Sequence, residues 1–202
     1  RYMLTAIMPE TSDSDFTWGG FLLANNNELV ATFGNLVHRV LTLTTRNFDN
    51  AVPESGELGP DEIAALEACD TALADVAKHL EARNFRDGLR SVMVLAQHGN
   101  RYIDARAPWK QVKEDRDAAA TTLWTALNIV ETLRTVSYPY LPYSTQTLHE
   151  LLGHEGDVLA GGWQRITPEA GTALPDPTPI FKKLDDSIVE EEAERLAAAS
   201  AR

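Results

Sequence analysis

Apolar residues along this chain recur at threes and fours, and no alternating strand pattern of useful length interrupts them. From Thr17 to about Arg46 the positions Leu29, Phe33, Leu36, Val40 and Leu43 keep that period, which predicts a helix with one buried face. Asp13, Asp15 and Thr17 offer caps ahead of it, while Gly19 and Gly20 weaken its first turn. Asn47 to Gly59 contains Asp49-Asn50, Pro53 and Gly56 and reads as a loop. A second helix opens at Pro60 and carries Ile63, Leu66, Cys69, Leu73, Val76 and Leu80 on one stripe. A third follows Asn84 as cap, with Phe85, Leu89, Val92, Ala96, Gly99 and Ile103 in register, and Pro108 is expected to end it. The fourth runs from about Asp115 to Tyr138 and presents Leu123, Leu127, Val130, Leu133 and Val136, with Pro139 and Pro142 as its stop. A short fifth starts near Ser144 and ends at Gly153, the expected left-handed cap.

A helical period repeated in successive segments with short connections predicts an all-α antiparallel helix bundle. After Gly153 the character changes. Gly156, Gly161-Gly162, Pro168, Gly171, Pro175, Pro177 and Pro179 mark an irregular stretch longer than an ordinary connection. It closes in Ile180-Phe181-Lys182-Lys183-Leu184 and a final acidic helix from Asp185 to about Ala199. The expected organisation is therefore a junction over 1–16, a helical domain over 17–153, and an irregular linker with a C-terminal helix over 154–202.

Composition narrows the function classes. With 202 residues, 44% of them apolar, the chain can bury one full core. No apolar run approaches the ~18 residues of a membrane span. A single cysteine, Cys69, excludes an internal disulfide framework and suits a reducing, cytoplasmic location; on its apolar stripe it reads as a small buried hydrophobe. The chain opens Arg1-Tyr2-Met3-Leu4, with neither an initiator methionine nor a signal pattern, and is expected to be a piece of a longer polypeptide. The five histidines, His38, His79, His98, His149 and His154, show no ligand pair on one face, so a structural or solvated role is expected and no metal site. Glu190-Glu191-Glu192 reads as a solvated helix face, and no nucleophile elbow or triad order occurs. The net charge of −12 argues against indiscriminate adhesion to nucleic acid, which depends on phosphate neutralisation by Lys and Arg. A protein this acidic would have to recognise RNA through a few placed side chains acting on an unpaired loop.

Two short constellations have the chemistry for that. At ~100° per residue, Asn35 and Arg39 fall together on the side of the first helix away from its apolar stripe. Asparagine supplies a donor and an acceptor; arginine supplies a fork of donors and a planar face, so the pair can read base edges and clamp a phosphate. A polar face with an incidental Asn/Arg pair has the same spacing. Pro108 and Trp109 form the second constellation, flanked by Arg106, Lys110 and Lys113. A tryptophan held by a rigid proline among cations meets the needs of a base-stacking platform, while a tryptophan packed on a neighbouring helix would look alike in sequence. Trp124 lies beside the stripe of the fourth helix and is expected at the core or its edge; Trp18 and Trp163 lie in segments that could dock elsewhere.

Taken in order, several runs resemble methionyl-tRNA synthetase, a class I aminoacyl-tRNA synthetase. They are Arg1-Tyr2, Met8-Pro9-Glu10, Asp13 to Trp18, Asn27-Glu28-Leu29, Gly34-Asn35-Leu36 with Arg39, Asn100-Arg101-Tyr102, Ala107-Pro108-Trp109-Lys110, Leu141-Pro142, Leu148 to Gly153, and Pro179-Ile180-Phe181. The resemblance extends from the end of that family's stem-contact region to the end of its anticodon domain and leaves Asn47 to Arg83 as its clearest gap. It implies that Trp109 stacks on a base of the CAU anticodon of methionine tRNA, that Asn35 and Arg39 bond the bases or their backbone, and that Pro108 shapes the platform. It implies also an upstream catalytic domain that uses ATP, with Mg, and methionine, and a closing Pro-Ile-Phe segment that folds back toward it. This chain contains neither nucleotide signature, His-Ile-Gly-His or Lys-Met-Ser-Lys-Ser, nor the cysteines of a zinc knuckle, so no cofactor and no catalytic residue are expected within it. The rival expectations are a helical protein-interaction module anchored by an exposed Trp109, and a free-standing RNA-binding paralogue without a synthetase.

Overall fold

Residues Arg116 to Ser137 form one helix, and every residue of it from Ala119 to Ser137 except Trp124 is buried. A helix apolar on one stripe only would leave polar positions in the core. Here Thr125 and Thr132 settle theirs by donating their hydroxyls to the carbonyls one turn back, each at 2.9 Å. Small and β-branched residues on all sides let neighbours pack around this helix. The computed structural model describes residues 1–10 and 13–200. Its helices are α1 Tyr2–Ala6, α2 Trp18–Leu23, α3 Asn35–Asn47, α4 Pro60–Glu81, α5 Phe85–Arg106, α6 Pro108–Glu114, α7 Arg116–Ser137, α8 Pro142–Leu151 and α9 Ile188–Ser200, with a 3-10 turn at Val158–Gly161. The predicted all-α bundle is the observed one, with α4, α5 and α7 packed on one another and α3, α6 and α8 against α7.

The stripe expected on α4 is rotated. Ala65, Cys69, Ala72 and Val76 are buried, while Ile63 is 47% exposed. The larger apolar residues mislead because α4 approaches its neighbours through its small ones. Gly99 does the same for α5: a Cβ there would lie 2.6 Å from Leu36 Cδ2 and 3.1 Å from Ile129 Cγ2, so its bare backbone lets α5 sit between α3 and α7. At the head of α4, buried Glu62 accepts from the Gly59 N–H at 3.1 Å and from the Tyr102 hydroxyl at 2.9 Å. Burial beside that carboxylate pushes the Tyr102 phenol well above its ordinary range.

The first predicted helix is present but not uniform. Between α2 and α3 it widens into a π-helical stretch, Ala24–Gly34. Asn25, Asn26 and Asn27 open this stretch, and their amides favour partners outside a regular helix. Thr32 donates its hydroxyl to the Asn27 carbonyl at 2.8 Å, and Asn100 Nδ2 donates to the Thr32 carbonyl at 2.9 Å from α5. The wide turns shift the phase of the apolar face, so Leu41 and Thr44 are buried where Leu43 was expected.

The irregular segment after α8 is tied down at several points. Gly153 has φ +81°, the left-handed conformation expected of it. Ala51 and Ala173 form an isolated antiparallel bridge, flanked by Val52 N–H to Thr172 O at 2.9 Å and Leu174 N–H to Asn50 O at 2.7 Å. The Trp124 and Trp163 indoles donate to the Pro168 and Leu73 carbonyls at 3.0 and 3.1 Å. Further on, Asn26 Nδ2 donates to Leu184 O and Asn26 Oδ1 accepts from Leu184 N, both at 2.9 Å, which docks the closing segment on the π-helical stretch. Helix α9 starts at Ile188 rather than Asp185, whose carboxylate instead accepts from the Ser187 N–H at 3.0 Å.

Candidate functional site

Pro108 does not simply end α5. Helix α5 stops at Arg106, Ala107 takes the left-handed conformation with φ 46° and ψ 57°, and Pro108 is the first residue of the new helix α6. Trp109 therefore sits on the first turn of α6, and α8 likewise opens on Pro142 rather than after it. A non-glycine residue at this φ is uncommon and marks a sharp redirection of the chain. The redirection brings α6 across α3. Pro108 is buried beneath the turn and Trp109 remains 37% exposed above it.

Arg39 meets that tryptophan. Its Cζ lies 5.3 Å from the indole centroid, and its Nη2 donates to Asp104 Oδ1 at 2.7 Å. The Arg39 side chain is consequently half-buried rather than free on an exposed face. Asp104 lies on the last turn of α5, two residues beyond the Asn100-Arg101-Tyr102 run, and nothing local in the sequence marks it as the partner of Arg39. The only available signal was its place one turn before Pro108. Arg106, expected among the cations around Trp109, is turned away. It pairs with Glu62 at 3.1 Å and Asp61 at 3.4 Å on α4. Lys110 and Lys113 stay exposed on α6.

Asn35 lies one turn before Arg39 on α3 and is exposed. It lines a separate cavity with His38 and the Pro179-Ile180-Phe181 segment, one that Trp109 does not line. The structure thus joins Arg39, Pro108 and Trp109 in one place and leaves Asn35 as its neighbour, with both amide atoms open to a ligand. An indole face, a guanidinium with spare donors and an amide on adjoining turns can stack on a planar ring, read its edge and hold an anion beside it.

The other polar cluster is built differently. Arg134, fully buried on α7, donates from Nε to Glu131 Oε2 at 2.9 Å; the other oxygen of Glu131 takes His154 Nε2 at 2.6 Å. His149 stacks on His154 with centroids 4.8 Å apart and lies 3.4 Å from Arg134 Nη1. Burial holds the His149 imidazole below its ordinary pKa, and the neighbouring His154 and Arg134 add to that effect. The cluster fastens the end of α8 and the following loop to α7. Among the described residues no group of three or more His, Cys, Asp or Glu is arranged to hold a metal ion. Cys69 is fully buried and its thiol is pushed up to about 11 by burial, the behaviour of an unreactive core residue.

A family model described as the anticodon binding domain of methionyl tRNA ligase matches residues 52–201. The chain belongs to that family. A second model, of the class I tRNA synthetases of the methionine type, matches residues 1–41. Asn35 and Arg39 fall within one match and Pro108 and Trp109 within the other, so the contact between Arg39 and Trp109 joins the two. The methionine–tRNA ligase of Thermomicrobium roseum is 40% identical over 226 residues, covering 99% of this chain and 39% of the relative. That of Dehalococcoides mccartyi is 47% identical over 196 residues, covering 97% of this chain and 35% of the relative. The apo Mycobacterium tuberculosis methionyl-tRNA synthetase superposes with a TM-score of 0.84 at 28% identity, over 91% of this chain and 38% of that one. The same enzyme in complex with methionyl-adenylate gives 0.82 at 27% identity, over 89% of this chain and 36% of that one. The chain therefore spans well under half the length of the curated relatives it matches.

Proposed function

We propose that this chain recognises the CAU anticodon of methionine tRNA, as the anticodon-binding part of a methionine–tRNA ligase. The observation that supports this reading most directly is the placement of Arg39 over the Trp109 ring, held by Asp104, since it assembles a stacking face and a donor fork from elements distant in sequence. Trp109 stacks on an anticodon base, with Pro108 fixing its helix. Arg39 and Asn35 bond base edges or the adjoining backbone. Residues 17–153 form the recognition domain, 1–16 the junction to an upstream catalytic domain, and 154–202 a linker and helix that dock back on the protein.

In the whole enzyme, ATP with Mg and methionine would be used by the catalytic domain in the cytoplasm, and this chain would contribute by holding the tRNA in register. The acidic net charge fits selective rather than indiscriminate RNA binding.

Arg39→Lys tests the reading at its hinge. Lysine keeps the charge and loses the planar fork, so affinity for a CAU stem-loop is expected to fall several-fold. The thermal midpoint should stay close to wild type, because the Arg39–Asp104 pair is partly exposed and contributes no more than about 1 kcal/mol. Unchanged affinity in a folded variant would remove Arg39 from the recognition surface.

A further inference from the structure

Next to Asn35 the outer side of α3 meets the closing segment of the chain, and the two flank an open space that Arg39, Pro108 and Trp109 do not line. Pro179, Ile180 and Phe181 form one wall and Asn35, His38 and Gly34 the other, around a cavity of about 190 Å³. His38 also lines the next cavity along α3, of about 280 Å³, between Arg46 and the Asp176-Pro177 stretch. The two are consecutive compartments of one groove that begins at Asn35 and follows α3 toward Arg46.

The wall made by the closing segment is held in place by specific contacts. Asn26 bonds both ways to the Leu184 backbone, and Asn25 Nδ2 donates to Lys182 O at 3.0 Å. Phe181 packs edge-on against Phe33 with centroids 5.7 Å apart. A Cβ on Gly34 would come within 3.3 Å of Phe181 Cδ2 and 3.0 Å of the Leu29 carbonyl, so the missing side chain lets the segment lie close. Two asparagines and a glycine, all poor helix residues, are thus spent on securing this one strap. The Thr42 hydroxyl beside the second compartment is buried and makes no hydrogen bond. Around the groove, His38 and Arg46 lie on α3 and the Asp176 carboxylate lines it, while Lys182 and Lys183 are exposed just past the wall, Lys183 within electrostatic reach of Asp185.

We infer that this groove receives a second nucleotide of the same RNA loop, adjacent to the base stacked on Trp109, with the 179–181 strap as one wall. The inference rests on the anticodon-loop reading. Asn35 then stands between two sites, the Trp109 face on one side and the strap on the other. Phe181 and the His38 ring provide planar and apolar surface for an unstacked base, and Arg46 with the lysines provides phosphate contacts.

The test is a titration of the wild-type chain, Phe181→Ala, His38→Ala and Trp109→Ala against a CAU stem-loop and a series in which each loop nucleotide in turn is abasic. Phe181→Ala and His38→Ala are each expected to bind the intact loop about tenfold more weakly. At one loop position outside the base that couples to Trp109, the abasic change should weaken wild type and Trp109→Ala while adding nothing further in the other two variants. The groove is refuted if folded Phe181→Ala and His38→Ala bind the intact loop as wild type does, or if every abasic change keeps its full effect in them. If Phe181→Ala melts early, the exposed His38→Ala variant decides. Failure of wild type to prefer CAU overturns the anticodon-loop reading itself, whereas a retained preference with both groove variants indifferent overturns the groove alone.

Discussion

Replacing Glu131 with alanine is expected to lower the unfolding free energy by about 3 to 5 kcal/mol, the largest effect of any single change considered. The Glu131 and Arg134 side chains are only 2% and 1% exposed, and among the described residues no second carboxylate pairs with the guanidinium. Removing Glu131 leaves Arg134 charged in the core, where the described residues offer it the Thr135 hydroxyl at 3.3 Å and the His149 ring nitrogen at 3.4 Å. It also unties His154, and with it the start of the loop that crosses α7. The loss comes from the uncompensated charge more than from the pair's net contribution. Replacing both partners, Glu131→Leu with Arg134→Met, should therefore recover much of it. Urea unfolding followed by circular dichroism measures each variant. A Glu131→Ala midpoint near that of wild type would show that the guanidinium finds water or another partner, and that the cluster does not secure the fold.

Trp109→Ala is expected to leave the fold intact and remove about 1 to 3 kcal/mol of binding to the stem-loop. The indole is 37% exposed, and Pro108, which opens α6, is untouched by the change. What disappears is the stacking face and the ring beneath Arg39. Thermal unfolding and RNA titration on one sample separate the two roles. Early melting with unchanged binding would make Trp109 a packing residue.

Where the sequence was legible, the period of apolar positions did the work. The face of α5, the apolar stripe of α7 and the cap at Gly153 follow from local rules, whereas the burial of α7 on its other sides, Glu131 and Arg134 included, depends on the helices packed around it. Size was a poor guide on α4, because Ala65, Cys69 and Ala72 face the core while Ile63 does not. The π-helical stretch could not be read locally, since the partners that hold it, Asn100 and the Leu184 backbone, come from distant segments. The same holds at the site. Residue types and order pointed to Arg39 and Trp109, but Asp104 as clamp, Ala107 as the left-handed pivot and Arg106 as a structural ion pair all depend on how α5 meets α3 and α4.

The central claim is that a few placed side chains read bases on an acidic protein. It is tested most directly by titrating a CAU stem-loop and loops with one anticodon base changed, at two salt concentrations. The account predicts a preference for CAU of about 1 kcal/mol or more per lost contact. It predicts also a shallow salt dependence, because few phosphates are neutralised by a chain of net charge −12. Equal affinity for every loop, with a steep dependence on salt, would contradict it.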